Sequence, residues 1–179
     1  ANRMLSANGY DHHGKPMLMT EYGGIAMAKD SEGDNWGYNG AVTERLRQVV
    51  FEEFVKTDNY GLIFTFIWAF DVPYDTEYVR RLTQLYEDAG AQVDYVELIA
   101  PQEVRLIRNR TENRLKEKAS KRDVALSEMR MLDAEGKYRC ISEPGEVIEK
   151  LGCAPERYLR IDNTDLSPEE VAERIVRHF

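Results

Sequence analysis

The run GLIFTFIWAF, Gly61 to Phe70, constrains this chain more than any other feature. Only Thr65 interrupts its apolar residues, which do not alternate with polar ones, a pattern that suits a strand covered by layers on both faces. It falls well short of the about 18 apolar residues a membrane span needs. Upstream, Val42 to Val55 (VTERLRQVVFEEFV) puts Leu46, Val49, Val50, Phe54 and Val55 at helical spacing with charges between them, and Thr43 stands where a cap would. Downstream, Phe70-Asp71-Val72-Pro73 turns the chain, and Asp75 or Thr76 caps a helix that ends near Ala89 at Gly90. Val93 to Ile99 (VDYVELI) reads as the next strand, and Pro101 opens a helix at its first turn. A second helix is expected over Val124 to Asp133, a short one over Glu146 to Leu151, and a short strand over Tyr158 to Ile161 (YLRI). Ser167-Pro168-Glu169-Glu170 has the form of a capping box with Pro at the first helical position. The last helix should follow it, with Val171, Ile175, Val176 and Phe179 facing inward.

Strands alternating with helices predict an α/β fold, a three-layer arrangement in which a parallel sheet of about four strands is flanked by helices. Ligands of such sheets sit beyond the carboxyl ends of the strands. That rule selects Trp68, Asp71 and Tyr74 after the first strand, and Ala100 to Glu103 after the second. A seam near residue 42 separates this regular part, 43–179, from a segment, 1–42, that is no independent domain. The segment is rich in Gly, Asn and Met, with Gly23, Gly24, Gly33, Gly37 and Gly40 punctuating it. Only Pro16 to Thr20 (PMLMT) reads there as a strand, and much of Ala28 to Gly40 reads as loop.

The net charge of −8 argues against non-specific nucleic-acid or membrane binding. Within this acidic chain, Arg105 to Arg122 (RLIRNRTENRLKEKASKR) is a basic island, broken only by Glu112 and Glu117. It is either a solvated helix face or an anion site suited to phosphates. Cys140 and Cys153 fit no metal or nucleophile spacing, and the N-terminal ANRMLSANGYDHH has no apolar core of a signal peptide, so the expectation is a reduced, cytoplasmic protein. His12 and His13 have only Asp11 near them, too few ligands for a metal, so no metal site is read. Trp36 and Tyr38 in DNWGYNG form either a sugar-stacking platform or a loop anchor.

On the words RLRQVVFEEFVKTDNYGLIFTFIWAFD, YVELIAPQEVRLIRNRTENRLKEKASKRD and YLRIDNTDLSPEEVAERI, residues 44–179 resemble the small P-loop kinases of the shikimate-kinase-like and adenylate-kinase-like kind. The resemblance implies ATP and magnesium as ligands and makes the basic island a lid over nucleotide phosphates. Arg108, Arg110 and Arg114 are its candidate phosphate ligands, with Lys118, Lys121 and Arg122 behind them. It also makes the strand end at Trp68 and Asp71 the acceptor side of the cleft. The departure from the pattern lies at GYDHHGKP, Gly9 to Pro16, which fits G-x-x-x-x-G-K but carries Pro16 where the loop needs Ser or Thr for magnesium. No apolar strand precedes it, and a strand follows where a helix belongs.

The same segment, in the words GYDHHGKPMLMTEYGGIAM and DNWGYNGAV, resembles glycoside hydrolase family two, the group of beta-galactosidases and beta-glucuronidases. That resemblance makes Glu21 the nucleophile of a retaining mechanism. Such a mechanism needs a second carboxyl group about 5–5.5 Å away. In that family an Asn-Glu pair supplies it, and the chain contains no Asn-Glu dipeptide. A full barrel also needs about 250 residues. Glu21 therefore reads as an orphaned catalytic residue, and the whole as a chimera. A doubly wound sheet without its first strand leaves unpaired edges in its middle, so Pro16 to Thr20 is expected to fill the gap in parallel. Three functions follow: a kinase-like domain with impaired catalysis that binds a nucleotide or another small phosphate ligand weakly, a glycosidase fragment, or a structural module that forms a homo-oligomer through its sheet edges.

Overall fold

The computed structural model describes residues 17–19, 27–29, 36–38, 40–118 and 122–179. The chain divides into two compact units, one of residues 1–66 and 84–90, the other of 67–83 and 91–179. Its described strands form three two-stranded sheets, two of them parallel.

In the first unit, β1 (Met17–Met19) pairs in parallel with β4 (Leu62–Phe64), with Met17 opposite Leu62 and Met19 opposite Phe64. The expected parallel strand within 16–20 is thus present over its central residues. β2 (Met27–Lys29) pairs antiparallel with β3 (Trp36–Tyr38). Within the stretch 28–40, much of it expected as loop, 28–29 and 36–38 are strand, each too short to show alternation in sequence, and 30–35 and 39 lie outside the described residues. Helix α1 (Gly40–Phe54) starts before the expected Val42, which places Thr43 inside the helix rather than at its cap. Its Phe51 is only 1% exposed. The Phe51 ring meets Phe64 at 4.9 Å and Tyr86 at 6.5 Å, both edge-on, the geometry that ring quadrupoles favour.

The expected strand 62–70 is a strand only as far as Phe64. Beyond it, the backbone groups a ladder would use are taken by others. The Ala69 N–H donates to the Asp75 carboxylate at 2.8 Å, and the Phe70 N–H donates to the Arg139 carbonyl at 2.8 Å. Nor is the run covered on both faces as expected, since Ile63 is 53% exposed and Ile67 80%; an apolar run is silent about which backbone groups pair.

The second unit contains most of α2 (Pro73–Asp88), whose residues from 84 onward belong to the first. β5 (Tyr95–Ile99), α3 (Gln102–Asn109), α4 (Glu112–Glu117), α5 (Val124–Lys137) and α6 (Glu146–Leu151) follow. The 3-10 turn Pro155–Arg157, β6 (Tyr158–Asp162) and α7 (Pro168–His178) complete it. α2 begins at Pro73, ahead of the expected Asp75 or Thr76, because Pro is preorganised for a first helical position and Asp75 reaches back to Ala69. Gly90, at φ 82°, stands just past its end as expected.

β5 and β6 pair in parallel over five rungs, from Tyr95 opposite Tyr158 to Ile99 opposite Asp162. Val147, Ile161 and Val171 are buried in this unit. The capping box at Ser167 and Glu170 forms as its spacing predicts. Val171 and Ile175, one turn apart, share the covered side of α7, whereas Val176 is 78% exposed and Phe179 43%. The expectation that those two point inward is corrected: Val176 lies one residue round the helix from the covered stripe, and Phe179 is past the last turn with its ring against His178. Among the described residues, no helix is long and apolar enough to cross a membrane.

Candidate functional site

Strand β5 delivers the chain to Ala100 and then into α3, so the rim of interest starts where the strand's carboxyl end meets that helix. Arg105 Nε donates to the Ala100 carbonyl at 3.1 Å, and its Nη1 lies 2.6 Å from Glu135 Oε1. Gln102 donates to the other oxygen of Glu135. These contacts pin α5 to the end of β5.

Opposite them is a clasp between two turns. The Arg139 N–H donates to Asp71 Oδ1 at 3.0 Å while the Arg139 carbonyl accepts from Phe70. The Arg139 guanidinium forks onto both oxygens of Glu146 at 2.6 Å, donates to the Ile141 carbonyl, and lies 5.7 Å from the centre of the Phe70 ring. The fork, first among several causes, holds the Glu146 carboxyl at about 2. Next in the chain, the Cys140 thiol is pushed up, chiefly by burial and then by the negative charge of Asp71. A thiol kept protonated is a poor nucleophile, consistent with the absence of nucleophile spacing around it in the sequence.

The basic island divides into residues with different duties. Arg108 donates to Asn163 Oδ1 at 2.9 Å and to the carbonyls of Asn163 and Thr164 at 2.6 and 3.0 Å. It staples α3 to the loop beyond β6. Arg110 forks onto Glu128, with one bond of 2.8 Å. That hydrogen bond raises the Arg110 value and lowers that of Glu128. Arg122 Nε donates to the Leu115 carbonyl at 3.1 Å. Lys118 ends α4, where Thr111 caps the start. The Arg114 guanidinium, half-buried on α4, makes no hydrogen bond or ion pair among the described residues. Lys121 lies outside the described residues.

Of the acceptor-side candidates, Trp68 donates through its indole N–H to Thr76 at 3.3 Å and stacks on Phe70 at 4.5 Å. Asp71 is exposed and engaged with Arg139. Trp68 thus serves the turn 68–76 itself, and Asp71 ties that turn to Arg139. Glu21, His12, His13 and the loop Gly9 to Pro16 lie outside the described residues. Among those described, no group of three or more His, Cys, Asp or Glu side chains is placed to hold a metal.

Sequence reasoning missed a polar knot on one face of β5 and β6. Glu97 accepts from the Ser142 N–H at 2.9 Å, the Ser142 hydroxyl at 2.6 Å and the Tyr158 hydroxyl. Arg160, its register partner on β6, donates to the Ser142 carbonyl and lies 3.4 Å from Glu97 Oε2, an ion pair without hydrogen-bond alignment. Burial first, then the bond to Glu97, pushes the Tyr158 phenol up to about 12. The signal was legible: Glu97 is the one charge in the middle of β5 and Arg160 the one in the middle of β6, and the two are opposite.

With this geometry in view, comparison with protein families, with curated proteins and with solved structures gives no match.

Proposed function

We propose that residues 43–179 are a kinase-like domain related to ATP-dependent small-molecule phosphotransferases, arranged as a P-loop-like three-layer fold, that holds phosphate groups weakly and is impaired in transferring them. The observation that supports this reading best is the disposition of the arginines at the end of β5. Arg108 grips the loop after the neighbouring parallel strand, and on the next helix the Arg114 guanidinium has no partner among the described residues. Planar guanidinium forks match phosphate oxygens, and ligands of parallel sheets sit at this end of the strands. Arg110 is 64% exposed, and its pair with Glu128 is of the kind that water and salt weaken, so a phosphate can compete for it. Transfer is impaired because the domain lacks a phosphate loop, and with it the phosphate cradle, the Lys and the magnesium ligand; GYDHHGKP, which has the skeleton, carries Pro16 at the last of these.

The test is a thermal-shift titration with ATP, with and without magnesium, and with inorganic triphosphate. Stabilisation at millimolar ligand, shared by triphosphate and lost in Arg110→Ala with Arg114→Ala, is the expected result. No shift, or a shift indifferent to both substitutions, would sink the reading. Product from an activated aryl glycoside that disappears in Glu21→Gln would favour the glycosidase reading in its place.

A further inference from the structure

We infer that the outer edge of β6, together with the last turns of α7, is a docking groove for an extended acidic segment of a partner protein, which adds to β6 as a strand. A cleft of 420 Å³ is lined by Leu159, Arg160, Ile161 and Asp162 from β6 and by Arg174, Arg177 and His178 from α7. Successive residues of a strand face opposite ways, so a ligand lying on one face of a sheet touches alternate positions. Four consecutive residues are touched together only by something that approaches the strand edge-on. Nothing of β5 lines the cleft, which puts the opening on the side of β6 away from its one described neighbour.

The backbone has hydrogen bonds to offer there. The Asn163 N–H donates to the Ile99 carbonyl across the ladder. By the alternation of a parallel pair, Ile161 and Leu159 also turn their N–H and C=O groups toward β5, and Arg160 and Asp162 turn theirs outward. The side chains of these two do not fill the space. Arg160 is committed to Glu97 and Ser142, and Asp162 accepts from the Thr164 N–H and hydroxyl. An incoming strand therefore meets main chain that has no partner among the described residues, and the half-buried Leu159.

The charge on the wall selects the segment. Arg174, Arg177 and His178 all come from α7; Asp162 brings one carboxylate to the strand side of the cleft, and Glu173 lies 3.3 Å from Arg177 in an exposed pair. His178 contacts the Glu156 carbonyl, which leaves its imidazole edge at the cleft. A strand whose helix-facing side chains are Asp or Glu gains the charges of Arg174 and Arg177, while one bearing Lys is repelled.

The experiment uses the full chain and a fluorescein-labelled eight-residue peptide alternating Glu or Asp with Val, read by anisotropy. Saturable binding is expected, with at least about tenfold loss in Arg174→Gln with Arg177→Gln. A comparable loss is expected when alternate peptide nitrogens are methylated, which removes ladder donors and leaves the charge unchanged. Undiminished binding of the methylated peptide, equal binding of the Lys counterpart, or no binding at millimolar protein would overturn the inference. So would concentration-dependent dimerisation abolished by the same substitutions, since the occupant would then be a second copy.

Discussion

The two parallel ladders are held by opposite means. β1 and β4 share three rungs, and what surrounds β4 is aromatic: Phe64 lies against Phe51, which also meets Tyr86. β5 and β6 share five rungs, and a charged knot of Glu97, Ser142, Tyr158 and Arg160 crosses them. Ring packing is tolerant of small slides, whereas a carboxylate with three donors is satisfied in one register alone. The difference teaches that an apolar pattern suffices to bring parallel strands together, and that a half-buried polar pair across the ladder specifies their alignment.

The comparison breaks most readily at Phe51. Phe51→Ala removes the most buried large side chain described, at an expected cost of about 3–5 kcal/mol. Hydrogen exchange read by mass spectrometry should show the amides of Leu62–Phe64 losing protection while those of Tyr95–Ile99 keep theirs. Equal loss in both would mean that the two ladders melt as one and that the distinction has no energetic content. Second in size is Glu97→Ala, which strands the Ser142 and Tyr158 donors and leaves Arg160 uncompensated, at about 2–4 kcal/mol in urea unfolding. Tyr158→Phe, which removes a single donor, should cost about 1 kcal/mol. If the two substitutions cost the same, Glu97 is not the centre of the knot.

The smallest effect sharpens the contrast through pH. Glu146 carries a folded-state value of about 2 against the ordinary 4.5. Its carboxyl binds a proton less readily folded than unfolded, so its stabilisation is fully present above the ordinary value and is lost as pH falls toward 2. Its partner Arg139 is 37% exposed, and solvent screening reduces the contribution to on the order of 1 kcal/mol. Chemical unfolding at pH 6 and pH 3 should show that slope in the wild type and a flatter one in Glu146→Gln. An unchanged slope would mean that other carboxylates govern acid sensitivity.

Much of the second unit could be read in advance because local chemistry and final structure agree there. Ser167 and Glu170 form their box, Gly90 ends α2, and Tyr158 to Ile161 is a strand that runs one residue further. Misreadings cluster where tertiary partners decide. Residues 66–70 look like strand because they are apolar, but Asp75 and Arg139 claim the N–H groups of Ala69 and Phe70. β2 and β3 are too short for any period to register. At the candidate site, the sequence shows that Arg108, Arg110 and Arg114 belong to one basic stretch. It does not show that Arg108 is a staple and Arg110 an ion-pair member, because Asn163 and Glu128 lie far along the chain.

The clasp at Arg139 has a consequence for the chain between its ends. The Asp71–Arg139 bond joins positions 68 apart in sequence, so it turns everything between them into a closed loop, a noncovalent counterpart of a cross-link. Closure entropy grows only with the logarithm of loop length, about 0.6 kcal/mol for each doubling. The excursion can therefore lengthen considerably at little thermodynamic cost. Contacts of such separation slow the search for the native state far more than they weaken it, which makes this clasp a late event in folding.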